Sequence, residues 1–187
     1  MSIRKAFVAG MFYPDSCEEL RHYLAHFNAT IKEPLPDVTP RALIVPHAGY
    51  IYSGYTANLA YVCASKHTYE RIVVIGPSHR VYLEGASLGE FDTYETPCGT
   101  LSIDKTFCDT LKNAFPFLTH LPEAHAEHST ETQMPFIQHY FRKTKIIEIV
   151  YGKLSSPELS TLLNSLLEAE KTLVVMSTDL SHFYTQE

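Results

Sequence analysis

Nowhere in this sequence do about 18 consecutive apolar residues occur, so no transmembrane helix can be drawn. Lys and Arg never cluster at the density that nucleic acids or anionic membranes attract, and a formal net charge of −6 argues the same way. The start, Met1 to Pro14, carries a charged pair but only a short apolar run before Tyr13, Pro14 and Asp15, which makes a poor signal peptide. No CxxC pair is formed by Cys17, Cys63, Cys98 and Cys108, and their wide spacing favours reduced thiols over a disulfide framework. No internal repeat or low-complexity tract is visible. The expectation is a soluble, cytoplasmic protein that acts on a small molecule or a peptide, without nucleic acid or membrane as partner, and its oligomeric state is left open.

With 187 residues, 45% of them hydrophobic, the chain has the material for one sizeable core rather than two domains. Leu20, Tyr23, Leu24 and Phe27 fall at helical spacing behind a cap at Asp15 or Ser16. Further helices are predicted over Ser53 to Ser65, Asp104 to Asn113 and Pro157 to Glu168, the last capped by Ser155 or Ser156. Continuous apolar runs at Ala42 to Val45, Arg71 to Ile75, Lys145 to Val150 and Thr172 to Met176 predict strands covered on both faces. This alternation is that of βαβ units. It predicts a single three-layer α/β/α sandwich with a mainly parallel or mixed central sheet. Gly85 to Ile103 breaks the rhythm and reads as an antiparallel hairpin or a loop insertion.

Three of the predicted strands end in a turn that bears a histidine: Pro46-His47, Gly76-Pro77-Ser78-His79, and Ser177-Thr178-Asp179-Leu180-Ser181-His182. Residues just past parallel strands share one edge of an open sheet and can converge from distant parts of a chain. His47 and His79 are separated by a length that one helical crossover can occupy, so their strands are expected to be neighbours. Two imidazoles and an anionic group suit Fe(II), copper or Zn(II). Asp179 is placed to share a pocket with His182, either as ligand, base or orienter, or else simply to cap a following helix. In His125 to Phe136, Ser129 or Thr130 is the expected helix cap, whereas Glu127 and His128 are better explained by a loop that closes over the strand ends. His22, His26, His67, His120 and His139 sit in surface-like contexts. Tyr13, Tyr50, Tyr52 and Tyr94 could line an aromatic pocket, and Cys98 is expected to be packed or exposed rather than a reactive thiol.

Taken in order, AGMFYP (residues 9–14), IVPHAGYIYSG (44–54), GPSH (76–79), TPCGTLSID (96–104), EHSTETQMPF (127–136) and STDLSHF (177–183) resemble the Memo family over nearly the whole chain. Its bacterial and archaeal members are called AmmeMemoRadiSam system protein B. The resemblance implies a fold similar to class III extradiol dioxygenases, with Amme-type and radical SAM proteins as associates. It also implies His47 and His79 as metal ligands, His182 as the acid/base histidine, and Asp179 and His128 as pocket residues. The family's remaining ligand, a Cys in Memo and a Glu in the dioxygenases, comes from a later segment that nothing here matches. The expectation is therefore one Memo-like domain over 1–187 that lacks the family's C-terminal segment. Fe(II) or copper in a metal-dependent oxidoreductase is the reading that follows, with a zinc hydrolase and a non-catalytic module for peptide or phospho-ligand binding as alternatives.

Overall fold

The computed structural model describes residues 2–32 and 34–180. The chain runs through β1 (Ile3–Arg4), α1 (Cys17–Thr30), β2 (Ala42–Val45), α2 (Tyr55–Ala64), β3 (Arg71–Pro77), β4 (Ala86–Leu88), β5 (Thr93–Thr96), β6 (Gly99–Ser102), α3 (Lys105–Ala114), β7 (Leu118–Thr119), α4 (His128–Glu131), α5 (Met134–Tyr140), β8 (Lys145–Tyr151), α6 (Ser156–Glu168) and β9 (Thr172–Ser177). Helix starts follow local chemistry. Ser16 caps α1, which buries Leu20, Leu24 and Phe27 one turn apart. Ser155 and Glu158 form a capping box at α6 with Pro157 in its first turn. A π-helical turn at Tyr50–Gly54 precedes α2, so the helical segment begins earlier than the predicted Ser53.

The apolar runs become the centre of a six-stranded sheet ordered β2-β9-β3-β8-β4-β7. The pairs β2/β9, β9/β3 and β3/β8 are parallel, and β4 runs antiparallel to β8. Ile72 to Ile75, Ile146, Ile147, Ile149 and Leu173 to Val175 are buried, as strands covered on both faces require, but the expectation fails for β2, an edge strand that buries Leu43 and Val45 and leaves Ala42 and Ile44 exposed. The step from β2 through α2 to β3 and the step from β8 through α6 to β9 travel across the sheet in opposite directions. With right-handed crossovers, this sets α2 and α6 on opposite faces and makes the three layers. The register places Val45 beside Ser177 and Ile75 beside Met176, so β2, β9 and β3 end along one edge.

Two further expectations are corrected. The strands carrying His47 and His79 are not neighbours, because β9, from a distant part of the chain, lies between them. The cysteines are not all free thiols: Cys17 at the start of α1 is bonded to Cys98 in the β5–β6 turn, and Cys63 and Cys108 remain buried thiols. The irregular stretch after Gly85 explains this pairing, since it forms β4 and then the β5–β6 hairpin, which joins β1 in a second, three-stranded sheet beside α1. No helix among the described residues is long and apolar enough to cross a membrane.

Candidate metal centre

β2 stops where Pro46 removes a backbone donor, and His47 is presented from the following turn. That turn is laced to the end of β9: Thr178 N–H donates to Val45 O at 2.8 Å and His47 N–H donates to Asp179 Oδ1 at 2.8 Å. The His47 ring is buried, with Nδ1 3.2 Å from Ser177 Oγ. Ser177 has one hydroxyl hydrogen, which it gives to Ser129 O, and it accepts from Gln133 Nε2 at 2.8 Å. Toward His47 it is therefore an acceptor, which assigns the proton to Nδ1 and leaves Nε2 bare. Burial lowers the proton affinity of His47; Asp179 opposes this, and His128 and His79 reinforce it.

After β3, Ser78 pins the turn through its N–H to Tyr151 O and its hydroxyl to Val81 O. His79 then meets Glu127, whose Oε2 accepts from His79 N–H at 2.7 Å and whose Oε1 lies 3.1 Å from His79 Nδ1. Glu127, not Ser129 or Thr130, caps α4, accepting from the backbone N–H groups of His128 at 2.8 Å and Ser129 at 3.2 Å. The expected cap is corrected because both hydroxyls are engaged elsewhere: Ser129 donates to Pro77 O and Thr130 to Glu148. Those bonds draw α4 against β3 and β8. A Cβ at Gly76 would stand 2.6 Å from Ser129 Oγ, so the approach requires glycine there. Burial alone would push the Glu127 carboxyl up, but hydrogen bonds from His128, His79 and Ser129 outweigh it and hold it at about 2.

The result is a cluster of His47, His79 and His128 whose ligating nitrogens all lie within 4.8 Å of one another. The rings of His79 and His128 stack at 4.5 Å between centroids, and His47 stands edge-on to both at 5.3 and 5.4 Å. Asp179 Oδ2 lies 3.8 Å from His47 Nε2. Phe12 packs on the outer side of His128 at 4.6 Å. The cluster opens into a cavity of about 780 Å³, walled by Phe12, Pro46, Pro77, Tyr52 and Leu180. Three imidazoles with one carboxylate nearby fit a divalent transition metal: the donors are borderline in softness and face one space. Among the sequence-derived residues, His47, His79, His128 and Asp179 are thus brought together. His182 lies outside the described residues.

Other expectations separate from the site. Of the four tyrosines, only Tyr52 lines the cavity. The hydroxyls of Tyr13, Tyr50 and Tyr94 are buried and donate to Glu131, Thr132 O and Glu148. Ser87, His125 and Glu148 form a Ser–His–carboxylate chain with 2.8 Å links, but Ser87 is wholly buried and also bonded to Leu121. It ties the loop before α4 to the sheet and has no face for a substrate.

The residues that the sequence reading missed lie behind the histidines. Ser177 and Gln133 set His47. Arg4 pairs with Glu131, donates to Glu127 O at 3.0 Å and stands 3.7 Å from Glu148, all of them buried. Glu131 also accepts from Phe7 N at 2.9 Å and Val8 N at 2.8 Å, which anchors the segment that carries Phe12. Nothing in a list of residue types marks Arg4. Ser177 sits two residues before Asp179 in a motif already singled out.

The family model described as Memo-like protein matches residues 4–186. A MEMO1 family protein of Methanobrevibacter smithii is 34% identical over an alignment that covers 99% of this chain and 71% of that protein. One from Aquifex aeolicus is 35% identical, over 100% of this chain and 70% of its own length. One from Schizosaccharomyces pombe is 32% identical, over 97% and 62%.

Proposed function

We propose that this chain, which belongs to the Memo-like protein family, is a metal-binding protein that holds Fe(II) or copper through His47, His79 and His128 and serves a redox reaction on a small organic molecule. The observation that carries this reading is the convergence of three imidazole donors within 4.8 Å beside an open cavity. When bound, the ion would supply Lewis acidity and electron transfer at an open coordination position. The chain's own residues do the rest. His47, buried and biased toward its neutral form, is a ligand at neutral pH without competition from protons. Asp179, tied to the His47 backbone, is placed to accept or return a proton beside that ligand. His182, three residues further along, is the proposed proton carrier. Phe12, Pro46, Pro77 and Leu180 exclude water from one side of the cavity.

The test is the metal content of the purified protein beside His47→Ala, His79→Ala and His128→Ala. Unchanged metal in all three variants overturns the reading. A zinc-dependent hydrolase is the second reading, favoured by the all-imidazole donor set, which also suits hydrolytic zinc. Oxygen consumption that depends on Fe(II) or copper supports the first, and zinc-dependent ester or amide cleavage the second.

A further inference from the structure

The geometry points to Glu127 as the positioning residue of this pocket: one carboxylate takes the Nδ1 protons of both His79 and His128, and thereby turns both Nε2 atoms toward the cavity. His79 Nδ1 lies 3.1 Å and His128 Nδ1 lies 2.8 Å from the same oxygen, Glu127 Oε1. An acceptor-only group at that distance requires hydrogen on each Nδ1, since a bare nitrogen would face a bare oxygen. Free imidazole has no such constraint and exchanges between tautomers. A carboxylate behind a ligand histidine removes that freedom, orients the ring and raises its basicity.

Three further contacts keep the carboxylate in place. Its oxygens also accept from the backbone N–H groups of His79, His128 and Ser129 at 2.7, 2.8 and 3.2 Å. Its own carbonyl is held by Arg4. The side chain is almost wholly inaccessible, so water cannot substitute for it. Swinging out to become a ligand would strand four hydrogen-bond donors at once and remove the ion-pair contact with His128, which assigns Glu127 to support rather than to coordination. Glu127 also joins two elements, the turn after β3 and the start of α4, whose relative placement decides whether His79 and His128 stack. The role of Glu127 toward a metal rests on the metal-binding reading above. Its role in setting the tautomers does not.

The experiment is a long-range proton–nitrogen NMR spectrum of the metal-free protein at about pH 8, above the ordinary imidazole range. The same spectrum is taken for Glu127→Gln, and Zn(II) affinity is titrated for both. The expected wild-type spectrum shows His79 and His128 protonated on Nδ1 alone. In Glu127→Gln one accepting oxygen becomes an NH2 group that must oppose either the His79 N–H or the donors gathered at Oε1, so the side chain leaves its seat, the two signals move toward a tautomer mixture and Zn(II) affinity falls about 10–100-fold. A wild-type spectrum with either ring protonated on Nε2 overturns the proposal whether or not the variant folds. Unchanged tautomers in a folded variant overturn it too. Absence of Zn(II) binding by the wild type would remove the metal reading alone, and the two spectra would still decide the role of Glu127.

Discussion

His79 and His128 stack face to face, 4.5 Å between ring centroids with planes 27° apart. Their strand-end turn and helix start come from different parts of the chain, and Glu127 bonds to both. Both rings line the same cavity as His47, as donors to one shared ion must.

Replacing any one of the three histidines removes a donor that no neighbouring group supplies. His47→Ala, His79→Ala and His128→Ala are each expected to weaken Zn(II) or Fe(II) binding by at least about 10–100-fold, the range for losing a mere supporting residue. Asp179→Asn should do less, since its bond to the His47 backbone can survive. Titration followed by calorimetry gives the ranking, and equal affinity across all four variants would contradict it.

Acid should destabilise the metal-free protein. The folded Glu127 carboxyl titrates at about 2 against an ordinary 4.5, so between these values the unfolded chain takes up the proton that the folded chain refuses. Stability is therefore present above about 4.5 and is lost as pH falls toward about 2. Glu148 is shifted the same way: burial would raise it, but His125 and Arg4 outweigh that. Urea midpoints should fall between about pH 6 and about pH 3, and Glu127→Gln should flatten the slope.

Arg4 and Glu131 form a wholly buried ion pair. Glu131→Ala leaves Arg4 with only the more distant Glu148, at 3.7 Å, as counter-charge and releases Phe7, Val8 and Tyr13. The expected cost is about 3–5 kcal/mol, read as a lower thermal midpoint. Replacing both partners with apolar residues should cost less, because no orphaned charge remains. If the double replacement proves as damaging as the single one, charge is not the cause.

Gly76→Ala places a methyl group against Ser129 and Thr130. Either β3 or α4 must shift, at about 1–3 kcal/mol for overpacking, and α4 carries His128. Reduced stability and weakened metal binding should appear together. A loss of stability with unaltered metal binding would mean that the strain relaxes elsewhere.

The bond between Cys17 and Cys98 closes a loop of 81 residues in sequence separation. Reduction, or Cys98→Ser, is expected to lower stability by about 2–4 kcal/mol. Peptide mass mapping without reductant should recover the linked pair and find Cys63 and Cys108 as free thiols.

Local chemistry was legible along the chain. The apolar runs became β2, β3, β8 and β9 within two residues of their predicted ends. For β3, β8 and β9 burial on both faces is the reason, whereas β2 is an edge strand with Ala42 and Ile44 exposed. Ser16 and Ser155 were readable as caps from their own neighbours. The strand-end position of His47 and His79 followed from proline, which stops a ladder wherever it occurs. That these histidines share an edge with Asp179 was equally readable, since parallel strands all point their carboxyl ends one way.

What the residues alone left open are relations across long separations. β9 lies between β2 and β3, where both of its edges are paired, and nothing local to His47 or His79 records that choice. Cys17 meets Cys98, and Arg4 meets Glu131, at separations of 81 and 127 residues. Glu127 reads in sequence as part of a loop over the strand ends, but only the packing of α4 on β3 brings two imidazoles to one of its oxygens. Periodicity and capping act over a few residues and are written in the chain; ring orientation, tautomer and ion pairing depend on which distant surfaces the core brings together.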